Sequence, residues 1–289
     1  MPRVLSIQSH VADGHVGNAA AVLPMQRLGI EVLPVHTLQL SNHPGHGAFR
    51  GRVFEASHVA EVLEGLEAHG SLASCDAVLT GYLGSAAIAE VVRDVVARAR
   101  SLNPSLVYVC DPVIGDAHKG VYVRPDLADA IRDRLVPLAD FLLPNQFELQ
   151  FLTGIDICDA ASLRAAAERL TGGVRSAVVT SVTHGGIAAP CVATALFDAR
   201  GTEVIETRRI DRQFSGAGDC FAALFTAYRL VTGDNRAAHW QAATAMASLL
   251  SKTERLGRDE LALVEGQGAF RLRSLAELSR AHRQWKRPG

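Results

Sequence analysis

The feature that most limits how this chain can fold is an alternation of short apolar runs with helix-patterned segments. Residues 4–7, 31–35, 77–80, 106–110, 141–143 and 177–181 read as buried strands. Residues 19–28, 57–68, 86–100, 127–135, 162–170, 221–228, 237–251 and 275–283 carry helical spacing, with Pro24 an irregularity in the first. Such alternation predicts an α/β protein, a mostly parallel sheet covered by helices on both faces. Residues 193–210 differ, reading as two antiparallel strands that turn at 198–201. The chain has no internal repeat, low-complexity tract or evident linker, so a single domain over 1–289 is expected.

Polar and acidic residues fall repeatedly just after the apolar runs, where ligands of α/β sheets collect. Ser9 follows the first strand and reads as either a helix cap or a substrate contact. The segment Ser41-Asn42-His43-Pro44-Gly45-His46-Gly47 is too polar for core and suits a lid loop. Its two histidines read as metal ligands or as solvated side chains. Asp111 and Asp116 follow the strand at 106–110, and Glu148 follows Pro144-Asn145. Carboxylates in such places can hold Mg²⁺, and Asp, Pro and Gly are also ordinary turn residues.

The stretch Phe214-Ser215-Gly216-Ala217-Gly218-Asp219 precedes an apolar helix. A helix N-terminus offers unpaired N–H groups and partial positive charge, which suits an anion. An acid there needs a further task, such as accepting the proton of an alcohol that attacks a phosphate. Several other chemistries are excluded by missing patterns. There is no G-x-x-x-x-G-K-[ST], G-x-S-x-G or H-E-x-x-H, and Phe221 stands where a dinucleotide fingerprint needs its third glycine. The five cysteines include no C-x-x-C pair, which argues against zinc or a disulfide framework and for a reducing compartment. Lys plus Arg is 29 against 30 for Asp plus Glu, so nothing suggests nucleic acid or a membrane surface. The basic end (Arg280, Arg283, Lys286, Arg287) reads as solvated tail charge. With neither a signal peptide nor a membrane span in view, a cytoplasmic protein is expected. An anion-binding helix start with an acid, plus further acids for a metal, suits phosphoryl transfer from a nucleotide to an alcohol.

These residues resemble a known family. Gly216-Ala217-Gly218-Asp219 is similar to the anion hole and catalytic acid of the ribokinase-like superfamily. Ile7-Gln8-Ser9-His10-Val11 with Gly14 and Gly17-Asn18, Ser41-Asn42-His43, Thr80-Gly81-Tyr82, Asp111-Pro112-Val113 with Gly115-Asp116, and Pro144-Asn145-Gln146-Phe147-Glu148 resemble pyridoxal kinases. The resemblance implies a ribokinase-like three-layer sandwich and ATP-dependent phosphorylation of the pyridoxal 5′-hydroxyl, giving pyridoxal 5′-phosphate in vitamin B6 salvage. It implies that Asp219 is the base and that the N–H groups of Gly216, Ala217 and Gly218 stabilise the transferring phosphoryl group. Ser9, Val16, His43, Pro44 and Tyr82 would surround the pyridoxal. Asp111, Asp116, Tyr122, Leu143, Asn145, Glu148, Thr180 and Ser181 would line the ATP site with Gly216 and Gly218, and Asp111 and Glu148 would hold Mg²⁺. A monovalent cation (K⁺ or Na⁺) and a homodimer are also implied.

Three positions depart from the pyridoxal kinase pattern: Pro44, Leu143 and Ala217 each stand where that family commonly has Thr. Pro44 has neither N–H nor hydroxyl, so a polar substrate contact is missing there. The alternatives are another ribokinase-like kinase, such as a hydroxymethylpyrimidine kinase, and a non-catalytic pyridoxal 5′-phosphate binding protein.

Overall fold

A computed structural model describes residues 1–172, 176–184, 186–187, 190–274, 276–278 and 280–281. The strands are β1 (Arg3–Asp13), β2 (Glu31–Asn42), β3 (Gly51–Val53), β4 (Ala77–Thr80), β5 (Val107–Cys110), β6 (Gly115–Asp116), β7 (Gly120–Val121), β8 (Phe141–Leu142), β9 (Ser176–Val182), β10 (Cys191–Asp198) and β11 (Gly201–Arg208). The helices are α1 (Asn18–Arg27), α2 (Ala56–Ala68), α3 (Ala86–Leu102), α4 (Pro125–Ala130), α5 (Gln146–Thr153), α6 (Ala160–Thr171), α7 (Ala217–Thr232), α8 (Asn235–Arg255) and α9 (Leu263–Gly266). The helix expected at 275–283 lies partly outside the described residues, as do the basic Arg283, Lys286 and Arg287.

One sheet runs in the order β11-β10-β9-β8-β5-β4-β1-β2-β3. Its middle, from β9 to β2, is parallel. The edge strands β3, β10 and β11 pair antiparallel. Side chains alternate between the two faces, as the pleat requires. Leu5, Ile7, Val78, Tyr108, Cys110 and Leu142 join the core under α2, α3, α4 and α6. Val4, Ala77, Leu79, Val109 and Phe141 join the core under α1, α7 and α8. Burial on both faces explains why these strands read as continuous apolar runs. The result is the expected three-layer sandwich.

Chain order places β2 on one side of β1 and β4 on the other. The sheet therefore reverses direction between β1 and β4, and a crevice opens at their carboxyl ends. Ser9 and Gly81-Tyr82 stand at this reversal. Both β1 and β2 run further than the sequence suggests, with pairing kept to Asp13 opposite Asn42. Their ends are polar, so hydropathy hides them, although Gln8 and Thr37 are buried. A register shift between Gln8 and His10 accompanies this extension. The helix expected at 127–135 is α4 followed by one π-helical turn at Ile131–Leu135.

Candidate active site

Helix α7 begins at Gly216, whose φ of +80° lies where only glycine is comfortable. A side chain there would also collide with the His15 carbonyl, since its Cβ would lie 1.8 Å from that oxygen. The turn before α1 is thus packed directly against the start of α7. Asp219 stands in the first turn of α7. It lies deep in the molecule yet is only half-buried, as a residue at the floor of a cleft would be. Burial pushes its carboxyl up, while N–H groups of Gly17 and of Asp219 itself oppose that shift.

Two further acids converge on Asp219. Asp111 follows β5 and is 8% exposed. Its carboxyl is pushed well up, first by burial and then by the charges of Glu148 and Asp219. A Cβ built on Gly218 would lie 4.0 Å from Asp111 Oδ2, which brings the α7 turn beside this carboxylate. Glu148, in α5, is 3% exposed and pushed up to about 7 by burial. Three backbone N–H groups oppose that shift. Ile114 and Gly115 donate to Oε1 at 2.7 and 3.2 Å, and Asn145 donates to Oε2 at 2.9 Å. The Asn145 Oδ1 in turn accepts from the Glu148 N–H at 3.0 Å, completing a capping box. Glu148 therefore also holds the segment after β5 in place.

The remaining sequence candidates distribute unevenly. Asn145 donates to the Gly115 carbonyl at 2.8 Å. Asp116 closes its own turn, accepting from the His118 and Lys119 N–H groups at 2.8 Å each. Tyr122 is exposed, its N–H donates to the Ile114 carbonyl at 3.1 Å, and its hydroxyl is pushed up by desolvation and then by the charges of Glu148, Asp111 and Asp219. Thr180 is half-buried beside Asn145, and Ser181 adopts φ +55°, a strained value for a residue with a side chain. Leu143 corrects its expectation as an ATP-site side chain. It is 3% exposed and belongs to the core under α7, so its side chain does not line the cleft.

On the other side of Asp219, Ser9 is 7% exposed. Helix α1 is capped by Gly17 with no side-chain bond, so Ser9 is not its cap. Among the described residues the Ser9 hydroxyl has no hydrogen-bond partner, which leaves it to a ligand. Gly17 presses against it so closely that a Cβ would lie 2.4 Å from Ser9 Oγ. Val16 and Tyr82 share a small apolar cluster with Val11, Leu38 and Leu40, giving a flat apolar wall. His43 and Pro44 lie on the loop beyond β2, where Pro44 is exposed and His43 accepts from the Gly45 N–H.

Among the described residues no group of three His, Cys, Asp or Glu side chains is arranged to hold a metal by itself. A hard cation at Asp111 and Glu148 would draw its other ligands from phosphate oxygens and water, the usual manner for Mg²⁺. The repulsion among Asp111, Glu148 and Asp219 fits such a cation, which would relieve it. Asp111 is the freer ligand, because Glu148 already accepts three N–H groups.

Sequence reasoning missed three residues. Gln146 accepts from the Thr183 and His184 N–H groups, fixing the chain after β9. Lys119 brings positive charge near His43. Glu260 touches the turn before α1 from 245 residues away, a separation no local pattern reveals.

A sequence model of the phosphomethylpyrimidine kinase family matches residues 52–263. A pyridoxal kinase PdxY of Deinococcus radiodurans is 45% identical, over 93% of this chain and 93% of its own. One of Leifsonia xyli is 44% identical, over 92% of this chain and 94% of its own. Among solved structures, the pyridoxal kinase of Leishmania donovani in complex with ADP and ginkgotoxin superposes with a TM-score of 0.85 at 31% identity, covering 93% of this chain and 96% of that one. The same protein in complex with ADP and pyridoxamine gives 0.84 at 30% identity, with 94% and 96% covered.

Proposed function

This chain belongs to the pyridoxal kinases of the ribokinase-like superfamily, and from that premise we propose that it transfers the γ-phosphoryl group of ATP to the 5′-hydroxyl of pyridoxal. The observation that carries the reading is the buried group of Asp111, Glu148 and Asp219 beside the start of α7. Asp111 feels the charges of both Glu148 and Asp219, and among the described residues none of the three carboxylates has an ion pair. That is the environment a cation and a polyphosphate would complete.

Ser9 orients the pyridine ring, with Val16 and Tyr82 against its apolar surface. Asp219 accepts a hydrogen bond from the 5′-hydroxyl. An alcohol is hardly ionised at neutral pH, so its proton moves to Asp219 late, as the new O–P bond forms. Burial makes Asp219 a stronger base than an exposed carboxylate, and the Gly17 N–H keeps it charged beforehand. The bond from the γ-phosphorus to the bridging oxygen breaks and leaves ADP. N–H groups of Gly216, Ala217 and Gly218 would stabilise charge on the transferring phosphoryl group, that of Ala217 once released from the Phe214 carbonyl to which it donates at 3.3 Å. Mg²⁺, when bound at Asp111 and Glu148, neutralises phosphate charge.

The reading extends to one domain over 1–289, to K⁺ or Na⁺ as a second cation, and to a cytoplasmic homodimer. No described helix is long and apolar enough to cross a membrane. The test is ADP release with pyridoxal, pyridoxine, pyridoxamine and hydroxymethylpyrimidine in parallel. Release driven by the B6 alcohols supports the reading. Preference for hydroxymethylpyrimidine moves it to that kinase, and tight binding of pyridoxal 5′-phosphate without release moves it to a carrier.

A further inference from the structure

We infer that Glu260 is a positioning residue of this site, tying the loop over the substrate pocket to the turn that abuts the start of α7. The inference deepens the kinase reading above and rests on it. Glu260 lies beyond α8, outside every motif that marks the site. Its two carboxylate oxygens serve two different segments. Oε1 is 2.8 Å from His46 Nδ1, on the loop beyond β2. Oε2 accepts from the His15 N–H at 3.0 Å, in the turn before α1. The backbone of Glu260 also bridges that of Ser215, next to Gly216.

Each contact leads into the proposed chemistry. The His15 carbonyl is the atom packed against Gly216, so holding His15 fixes the turn that opens α7. Gly14, at φ +107°, leaves the carboxylate its space, because a Cβ there would lie 3.0 Å from Glu260 Oε1. On the loop, His46 packs edge-on to His43 with ring centroids 5.4 Å apart. His43 is lowered first by burial, then by the charge of Lys119, while Glu260 opposes that shift.

The loop has little else to hold it. Its turn, Pro44–His46, buries no residue. Its other side-chain hydrogen bonds are internal: Asn42 donates to the His43 and Ala48 carbonyls, Ser41 Oγ accepts from the Arg50 N–H, and His43 accepts from Gly45. Among the described residues the bond from His46 to Glu260 is thus the side-chain hydrogen bond tying the loop to the body of the protein. One carboxylate then sets both the closure of the loop and the placement of the α7 turn. Closure of this kind excludes water, which would otherwise take the place of the alcohol and turn ATP into ADP and inorganic phosphate.

The test compares wild type, Glu260→Ala, His46→Ala and the double variant, with Glu260→Gln retaining one acceptor oxygen in case the alanine variant fails to fold. Hydrogen–deuterium exchange over residues 41–50, measured without ligand, should speed up in Glu260→Ala and in His46→Ala, and no further in the double variant. KM for pyridoxal should rise about tenfold while KM for ATP stays within about twofold, and the share of ADP released without pyridoxal should grow about fivefold. Glu260→Gln should fall between wild type and Glu260→Ala. Exchange like wild type, additive effects in the double variant, or equal changes in both KM values would overturn the inference. A wild type that releases no ADP with pyridoxal would refute the kinase reading, while the exchange arm still decides whether Glu260 holds the loop.

Discussion

Two of the groups of ionisable side chains set into this molecule behave in opposite ways. Between α8 and the edge strands, His239 is fully buried and both of its ring nitrogens have a partner. Its Nε2 is 2.7 Å from Thr194 Oγ1 and its Nδ1 is 3.0 Å from Glu203 Oε1, while Trp240 donates to Glu203 Oε2 at 3.1 Å. The order hydroxyl, imidazole, carboxylate matches a nucleophile relay, yet at 0% exposure no substrate can reach it. At the carboxyl ends of the parallel strands, Asp111, Glu148 and Asp219 receive backbone N–H groups but no described cation, and Asp111 is further destabilised by the other two charges. The first group is completed by the chain itself. The second is completed only by something the chain does not carry. Residue type alone would have ranked the His-Glu-Thr set as the more suggestive chemistry; access and unmet charge reverse that order.

The sharpest way to break this contrast is Asp219→Asn. Turnover should fall about 10³-fold, a typical cost of losing a general base, with the melting temperature unchanged or higher because a strained charge is removed. Turnover within threefold of wild type would remove Asp219 from the chemistry. His239→Ala should do the reverse. Unfolding in urea should show a loss of about 3 kcal/mol from the cavity and the bond no longer made to Glu203, with turnover of the folded fraction kept. Glu148→Gln should do both in smaller measure. Its amide cannot accept from all three N–H groups, so stability should drop by about 2 kcal/mol, and a metal titration should show a higher Mg²⁺ half-saturation. An unchanged titration would confine Glu148 to its structural task.

The two groups also predict opposite responses to pH. Glu148 rises from 4.5 to about 7 on folding. The ligand-free native state therefore binds more protons than the unfolded chain between those values, and its stability falls as pH rises through them. Asp111 and Asp219 shift in the same direction from 3.8. His239 is lowered from 6.5, first by burial, against the raising effect of Glu203. Its contribution is complete above pH 6.5 and lost as pH falls below it. Urea midpoints from pH 4.5 to 8 for Glu148→Gln and His239→Ala should each flatten one side of the wild-type profile.

Much of the fold was legible because β4, β5 and the first half of β9 are buried on both faces and carry apolar runs, Ala77-Val78-Leu79, Val107-Tyr108-Val109 and Ala177-Val178-Val179. The ends of β1 and β2 were not, since Gln8, Thr37 and Gln39 are polar although they continue the ladder. Helix α5 spans only eight residues, and its capping box, Asn145 with Glu148, was visible in the sequence but read solely as chemistry. Asp111 and Asp219 could be named because each sits beside a turn residue, Pro112 or Gly218, and Glu148 because it follows Pro144-Asn145. That they share one site was implied by the family resemblance, whereas their charges meeting at Asp111 could be seen only once β5, α5 and α7 are assembled. Leu143 was assigned to the cleft by the family resemblance, whereas the pleat turns its side chain into the core. Glu260 carries no local mark, being the second of two adjacent acids, Asp259-Glu260, in the connection after α8.

The most direct test of the central claim, that the acid group awaits a cation and a nucleotide, is the stabilisation given by Mg²⁺ with ADP as a function of pH. Urea unfolding of the wild type, with and without the pair, should give a ligand stabilisation that grows between pH 5 and 7 as the acids ionise, then levels off. Stabilisation that is flat over this range, or that declines, would mean that these carboxylates do not receive the ligand.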